Sequence, residues 1–65
     1  MPSAYEVLGI ATDASDRAIK AAYRKKAAEA HPDKGGDPER FLRIQAAFEV
    51  LRDPDRRAQH DRDPE

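Results

Sequence analysis

The stretch His31-Pro32-Asp33-Lys34-Gly35-Gly36-Asp37-Pro38 decides how this chain folds. Pro32 removes a backbone donor and biases His31 out of the α region, so a helix arriving from the N-terminal side should end at about Ala30. Gly35-Gly36 supplies a turn. Asp37-Pro38 is an N-cap followed by proline at the first helical position, a strong start signal. Only seven residues, 31–37, then separate two helices, and a loop that short makes them antiparallel neighbours.

Working outward, the helix before the loop is expected over about 14–30, with Asp13 as N-cap and Asp16 at N3. Ile19, Ala22, Tyr23 and Ala30 share one face at helical spacing, while Arg17, Lys20 and Arg24 lie opposite with Lys25 beside them. Lys26 falls on the apolar side and must snorkel along its stem or open the core. The helix after the loop is expected over about 38–52, with Phe41, Ile44, Phe48 and Leu51 forming its apolar stripe. A short helix over roughly 3–8, ended by Gly9, should cover an open side of the pair. Asp53-Pro54 opens a last short helix, about 54–61, that caps one end. No alternating β-branched run suggests a strand, so the fold class is all-α. Residues 1–65 read as one domain with a core over 4–61 and a frayed tail at 62–65.

Composition bounds the possibilities. Of 25 apolar residues twelve are alanine, which leaves, besides Met1, only twelve large ones to build a core. Stability should be a few kcal/mol. There is no cysteine, hence no disulfide frame, no thiolate nucleophile and no cysteine zinc site; this also fits a reducing compartment. No apolar run is long enough to span a bilayer, and the first residues lack the basic and apolar regions of a secretory signal. The default location is cytoplasmic. Ending two helical turns after Pro54 suggests an excised module.

The net charge of −1 hides an asymmetry. Residues 14–35 hold six bases against three acids, and from Arg17 to Lys26 there are five bases and no acid. This is either an ordinary solvated helix face or a docking surface for an acidic partner. A basic helix in a DNA groove is the rival from a different class; the overall charge and the lack of asparagine argue against it.

The loop is where function would sit. His31 and Asp33 flank a stiff proline at a loop tip, as in a recognition element; His31 also reads as a polar residue placed at a helix end. A catalytic His–Asp pair lacks a nucleophile, because Ser3, Thr12 and Ser15 are explained as caps or turn residues. The two histidines are far apart in sequence with no ligand cluster, so no metal site is expected, and Gly35-Gly36 is not a phosphate loop.

Taken together these features resemble the J-domain of the heat-shock-protein-forty (DnaJ-like) co-chaperones. The resemblance rests on Ala4-Tyr5-Glu6-Val7-Leu8-Gly9-Ile10, on Ile19-Lys20-Ala21-Ala22-Tyr23-Arg24-Lys25, and on His31-Pro32-Asp33-Lys34. It continues through Ile44-Gln45-Ala46-Ala47-Phe48-Glu49-Val50-Leu51-Arg52-Asp53-Pro54 and Arg56-Arg57-Ala58-Gln59-His60-Asp61. It implies a monomeric module without cofactor or chemistry of its own, which binds the seventy-kilodalton heat-shock chaperone and stimulates its ATP hydrolysis. Lys20, Tyr23, Arg24 and Lys25, with Lys34 beside the loop, would contact an acidic surface of the chaperone's nucleotide-binding domain. His31, Pro32 and Asp33 would act where that domain meets the substrate domain and the interdomain linker, with Asp33 paired to an arginine. A J-like module that only binds is the alternative within the same fold; the intact tripeptide argues against it.

The chain departs from the family pattern at several points. Lys26 stands where leucine is usual, Ala28 and Ala30 where larger residues are, and Phe48 and His60 where tyrosine is common. Leu42 stands where a charge is common. The expected consequences are a less well packed core, a looser last helix and an exposed apolar spot at Leu42.

Overall fold

The computed structural model describes residues 3–62, which form four α-helices and one 3-10 turn. They are α1 (Ala4–Leu8), α2 (Asp16–Ala30), α3 (Pro38–Arg52) and α4 (Pro54–Arg62), with the turn at Pro32–Lys34. No strand occurs among the described residues. Arg62 ends α4 rather than starting a tail; residues 63–65 of the expected frayed tail lie outside the described residues.

Local chemistry places most boundaries. The Ser3 hydroxyl accepts the Glu6 N–H at 3.2 Å and caps α1. Gly9, at φ 71°, ends it in the left-handed region, with its N–H on the Glu6 carbonyl and the Ile10 N–H on the Tyr5 carbonyl. Asp37 caps α3 through the Glu39 N–H at 3.0 Å, and Pro38 occupies its first turn.

The start of α2 differs from the expectation. Ser15, not Asp13, is its N-cap, accepting the Ala18 N–H at 3.1 Å, and Asp16 is the first helical residue. Asp13 lies in a turn closed by the Ala14 N–H on the Ala11 carbonyl. The Ala14 carbonyl, which an earlier helix would need, instead accepts from Arg57 at 2.8 Å. A long-range contact thus delays the helix beyond the first available cap.

The core sits where α1, α2 and α3 meet. Tyr5, Leu8, Ile19, Ala30, Ile44, Ala47 and Leu51 are buried, and Val7, Ile10, Tyr23, Phe41, Phe48 and Val50 pack against them. Eleven of the twelve large apolar residues therefore serve the core; Leu42, 63% exposed, is the exception and forms the expected apolar spot. Ala47 joins the stripe of α3 at a position where small size allows close helix approach.

Lys26 snorkels. Its stem crosses Gly9: a Cβ at that glycine would lie 3.4 Å from Lys26 Cε and 3.7 Å from Nζ. The ammonium thus ends beside the C-terminus of α1, where carbonyl dipoles favour a cation. Ala28 is exposed, so its small size costs no core packing. Ala30 is fully buried, and its backbone requires glycine at position 36: a Cβ on Gly36 would come within 2.2 Å of the Ala30 carbonyl.

Candidate functional site

The loop between α2 and α3 is built from its backbone outward. His31 is extended (φ −62°, ψ 129°), as a residue before proline should be, and this ends α2. The His31 carbonyl then accepts two N–H groups, from Lys34 at 2.9 Å and Gly36 at 3.0 Å. The Pro32 carbonyl accepts the Gly35 N–H at 3.0 Å, with Gly35 at φ 78°. Gly36 then passes so close to Ala30 that no side chain fits there. These contacts make one compact turn that returns the chain to α3.

His31 and Asp33 leave that turn in different ways. The Asp33 N–H donates to His31 Nδ1 at 3.1 Å, so the imidazole caps the 3-10 turn. The Asp33 carboxylate lies 3.8 Å from the same nitrogen. That distance is too long for a hydrogen bond, and a nitrogen that accepts cannot also donate, so the contact is not an ion pair. The carboxylate is 90% exposed and has no other partner among the described residues. The His31 ring meets the Phe41 ring at 5.0 Å and 67°, an edge-to-face contact with the first turn of α3. Pro32 and Lys34 are exposed beside them.

The other expected contact residues lie on α2. Lys20, Arg24 and Lys25 are exposed, as is Arg17. Among the described residues none of the four has a carboxylate within ion-pair distance. Arg17, Lys20 and Arg24 line one shallow hollow of about 330 Å³ with Asp16 and Ala21. The run from Arg17 to Lys25 covers about 12 Å of helix axis, and the loop begins about 8 Å beyond it. Tyr23 is different in kind. It is half-buried and stacked on Phe48 at 4.1 Å and 13°, so much of it serves the α2–α3 interface. No group of three or more metal-ligating side chains exists among the described residues. None of the described helices is long and apolar enough to cross a membrane.

Sequence reasoning missed the polar cluster at the opposite end. The Tyr5 hydroxyl donates to the Asp61 carboxylate (2.8 and 3.0 Å) and accepts from Arg57 Nε at 3.0 Å. Arg57 Nη2 also donates to the carbonyls of Ala14 (2.8 Å) and Thr12 (3.2 Å), and Nη1 lies 3.7 Å from Asp16. One guanidinium thus fastens α4 to α1, to the turn before α2 and to the start of α2. His60 packs edge-on against Tyr5 at 5.7 Å and is mostly covered, so α4 is anchored and not loosened at that position. Burial pushes the Tyr5 hydroxyl above its usual pKa, the Tyr5 hydrogen bond raises Arg57, and the Tyr5 hydroxyl holds Asp61 below the usual carboxylate range. The long-range hydrogen-bond partners are 43 to 56 residues apart, and no local pattern could have paired them.

Residues 3–61 match the DnaJ domain family. Over 57 residues the chain is 54% identical to DnaJ protein homolog 2 of Allium porrum, covering 88% of this chain and 14% of that protein. It is 53% identical over 62 residues to Chaperone protein DnaJ of Oleidesulfovibrio alaskensis, covering 89% of this chain and 16% of that one. It therefore spans about a seventh of the length of such relatives. Among solved structures, the J-Trx1 fragment of ERdj5 superposes with a TM-score of 0.87 at 39% identity, covering 97% of this chain and 32% of that one. An all-α arrangement of this order, with His-Pro-Asp at the turn between its two long helices, places the chain in the DnaJ domain family: it is a J-domain.

Proposed function

We propose that this chain is a co-chaperone module that binds the seventy-kilodalton heat-shock chaperone and accelerates its ATP hydrolysis. The observation that carries the reading is the state of the loop. The Asp33 carboxylate is almost fully exposed and has no hydrogen-bond partner among the described residues, on a turn whose Asp33, Lys34, Gly35 and Gly36 N–H groups are all bonded within it. A charge presented this way is available to a partner.

The basic face of α2 would meet an acidic surface of the nucleotide-binding domain. Lys20, Arg24 and Lys25, with Lys34 near the loop, would speed encounter and add little affinity per exposed pair. Tyr23 would contribute only its outer edge. The binding should be weak and salt-sensitive, which suits a module that acts and leaves. Coupling would lie in His31, Pro32 and Asp33, set against the junction of nucleotide domain, substrate domain and linker, with Asp33 meeting an arginine. The loop shifts the chaperone only by interacting better with one of its conformations. The module would do no chemistry itself, act as a monomer and work in the cytoplasm by default.

Single-turnover ATP hydrolysis by such a chaperone tests this, with buffer, the parent chain and His31→Gln compared after circular dichroism confirms folding. The parent should accelerate hydrolysis by roughly 5-fold or more, the lower end of typical coupling, and His31→Gln should not. A folded parent without effect across several chaperone paralogues would rule the reading out.

A further inference from the structure

We propose that Phe41 is a positioning residue for His31, holding the imidazole with Nδ1 on the Asp33 N–H and leaving Nε2–H as the outward donor of the loop. The proposal deepens the co-chaperone reading, and only its functional arm rests on that reading.

The chemistry starts from the ring. A neutral imidazole carries its proton on one nitrogen, and the hydrogen bond at the other decides which. Here the Asp33 N–H points at Nδ1 from 3.1 Å, so Nδ1 accepts and Nε2 bears the hydrogen. Nε2 has no hydrogen-bond partner among the described residues, and the side chain is 43% exposed. Turning the ring over would put a carbon against the Asp33 N–H and lose that bond. The Asp33 N–H is the one loop backbone group that opposes this; the other loop hydrogen bonds to His31 use its carbonyl.

Phe41 is the side chain placed to keep the ring aligned with that N–H. Its ring lies 5.0 Å from the imidazole at 67°. Its own backbone N–H makes the first helical bond of α3, to the Asp37 carbonyl at 2.9 Å, and the side chain is half-buried against the core. Turning the imidazole over keeps its plane, so the edge-to-face contact fixes that plane while the Asp33 N–H selects Nδ1; an aliphatic side chain would cover the ring without fixing its plane. Phe41 thus ties the tautomer at the end of α2 to the start of α3.

The test uses the full chain labelled with nitrogen-15, in mildly alkaline buffer. Long-range proton–nitrogen spectra of the parent should show His31 as the Nε2–H tautomer. Phe41→Leu should turn His31 into a tautomer mixture and speed exchange of the Asp33 amide, with helix content and the His60 signals unchanged. Phe41→Tyr, which keeps the ring, should restore the parent pattern. In the hydrolysis assay Phe41→Leu should lose roughly 5-fold of the stimulation, and Phe41→Tyr should regain it. A parent in the Nδ1–H form, or a Phe41→Leu spectrum identical to the parent, overturns the proposal. A parent that fails to stimulate refutes the co-chaperone reading instead, and the spectra alone then decide the role of Phe41.

Discussion

The molecule holds two histidine–aspartate pairs, one at each end, and they are used in opposite ways. At the α1–α4 end, His60 packs against Tyr5, and Asp61 receives the Tyr5 hydroxyl. The Tyr5 hydroxyl, the Asp61 carboxylate and the Arg57 guanidinium are bonded to one another or to the backbone, and Arg57 draws three segments together. At the loop end, His31 spends one nitrogen on the Asp33 amide and leaves the other free, while the Asp33 carboxylate faces solvent. A small domain with eleven large side chains in its core needs polar fastening somewhere. It places that fastening away from the loop and basic face proposed to meet a partner. The same residue types are thus bonded within the chain at one end and left exposed at the other.

The largest effect on folding should come from the loop backbone, not from its charged side chains. Gly36→Ala drives a Cβ to within 2.2 Å of the Ala30 carbonyl, and backbone cannot yield cheaply. We expect a loss of about 3 kcal/mol in a urea melt. Unchanged stability would show that the α2–α3 approach is less tight than described. Arg57→Ala comes next. It leaves the Tyr5 hydroxyl without its donor and frees two carbonyls, and should cost about 2 kcal/mol, lowering Tm by roughly 8–16 °C. Because the loop and the basic face are untouched, the folded variant should still stimulate the chaperone. Loss of stimulation by a folded Arg57→Ala would erase the division between the two ends.

A smaller effect should appear with pH. Asp61 is held below its ordinary value of 3.8 when folded, so its contribution is full above that value and fades as pH falls through the lower folded one. Tyr5 behaves in the mirror sense. Its folded pKa lies above 10.0, so its contribution is full below that value and is lost as pH rises through the folded one. Stability against pH should flatten at the acid limb in Asp61→Asn. An acid limb unchanged by Asp61→Asn would mean that other carboxylates carry it.

Much of the fold was legible because its signals are local. Gly9, Asp37-Pro38 and Asp53-Pro54 each act within a few residues, and the helices begin or end there. The Phe41, Ile44, Phe48, Leu51 stripe needs only helical spacing. The start of α2 misled because two caps compete, Asp13 and Ser15, and a distant arginine decides between them. Ala47 escaped notice because burial of alanine is settled by the partner helix and not by its own hydrophobicity. At the site, the exposure of Lys20, Arg24 and Lys25 followed from periodicity. That Nδ1 of His31 would cap its own turn did not, since the ring is placed jointly by the Asp33 amide and by Phe41 ten residues away.

The central claim is that the loop's carboxylate belongs to the partner and not to the fold. Asp33→Asn removes its charge and breaks no hydrogen bond among the described residues, so stability should stay within about 0.5 kcal/mol of the parent. Single-turnover ATP hydrolysis by the seventy-kilodalton chaperone, with Asp33→Asn measured beside the parent, tests the claim most directly. Full loss of stimulation at unchanged stability is the predicted result. Parent-like stimulation by Asp33→Asn would contradict it.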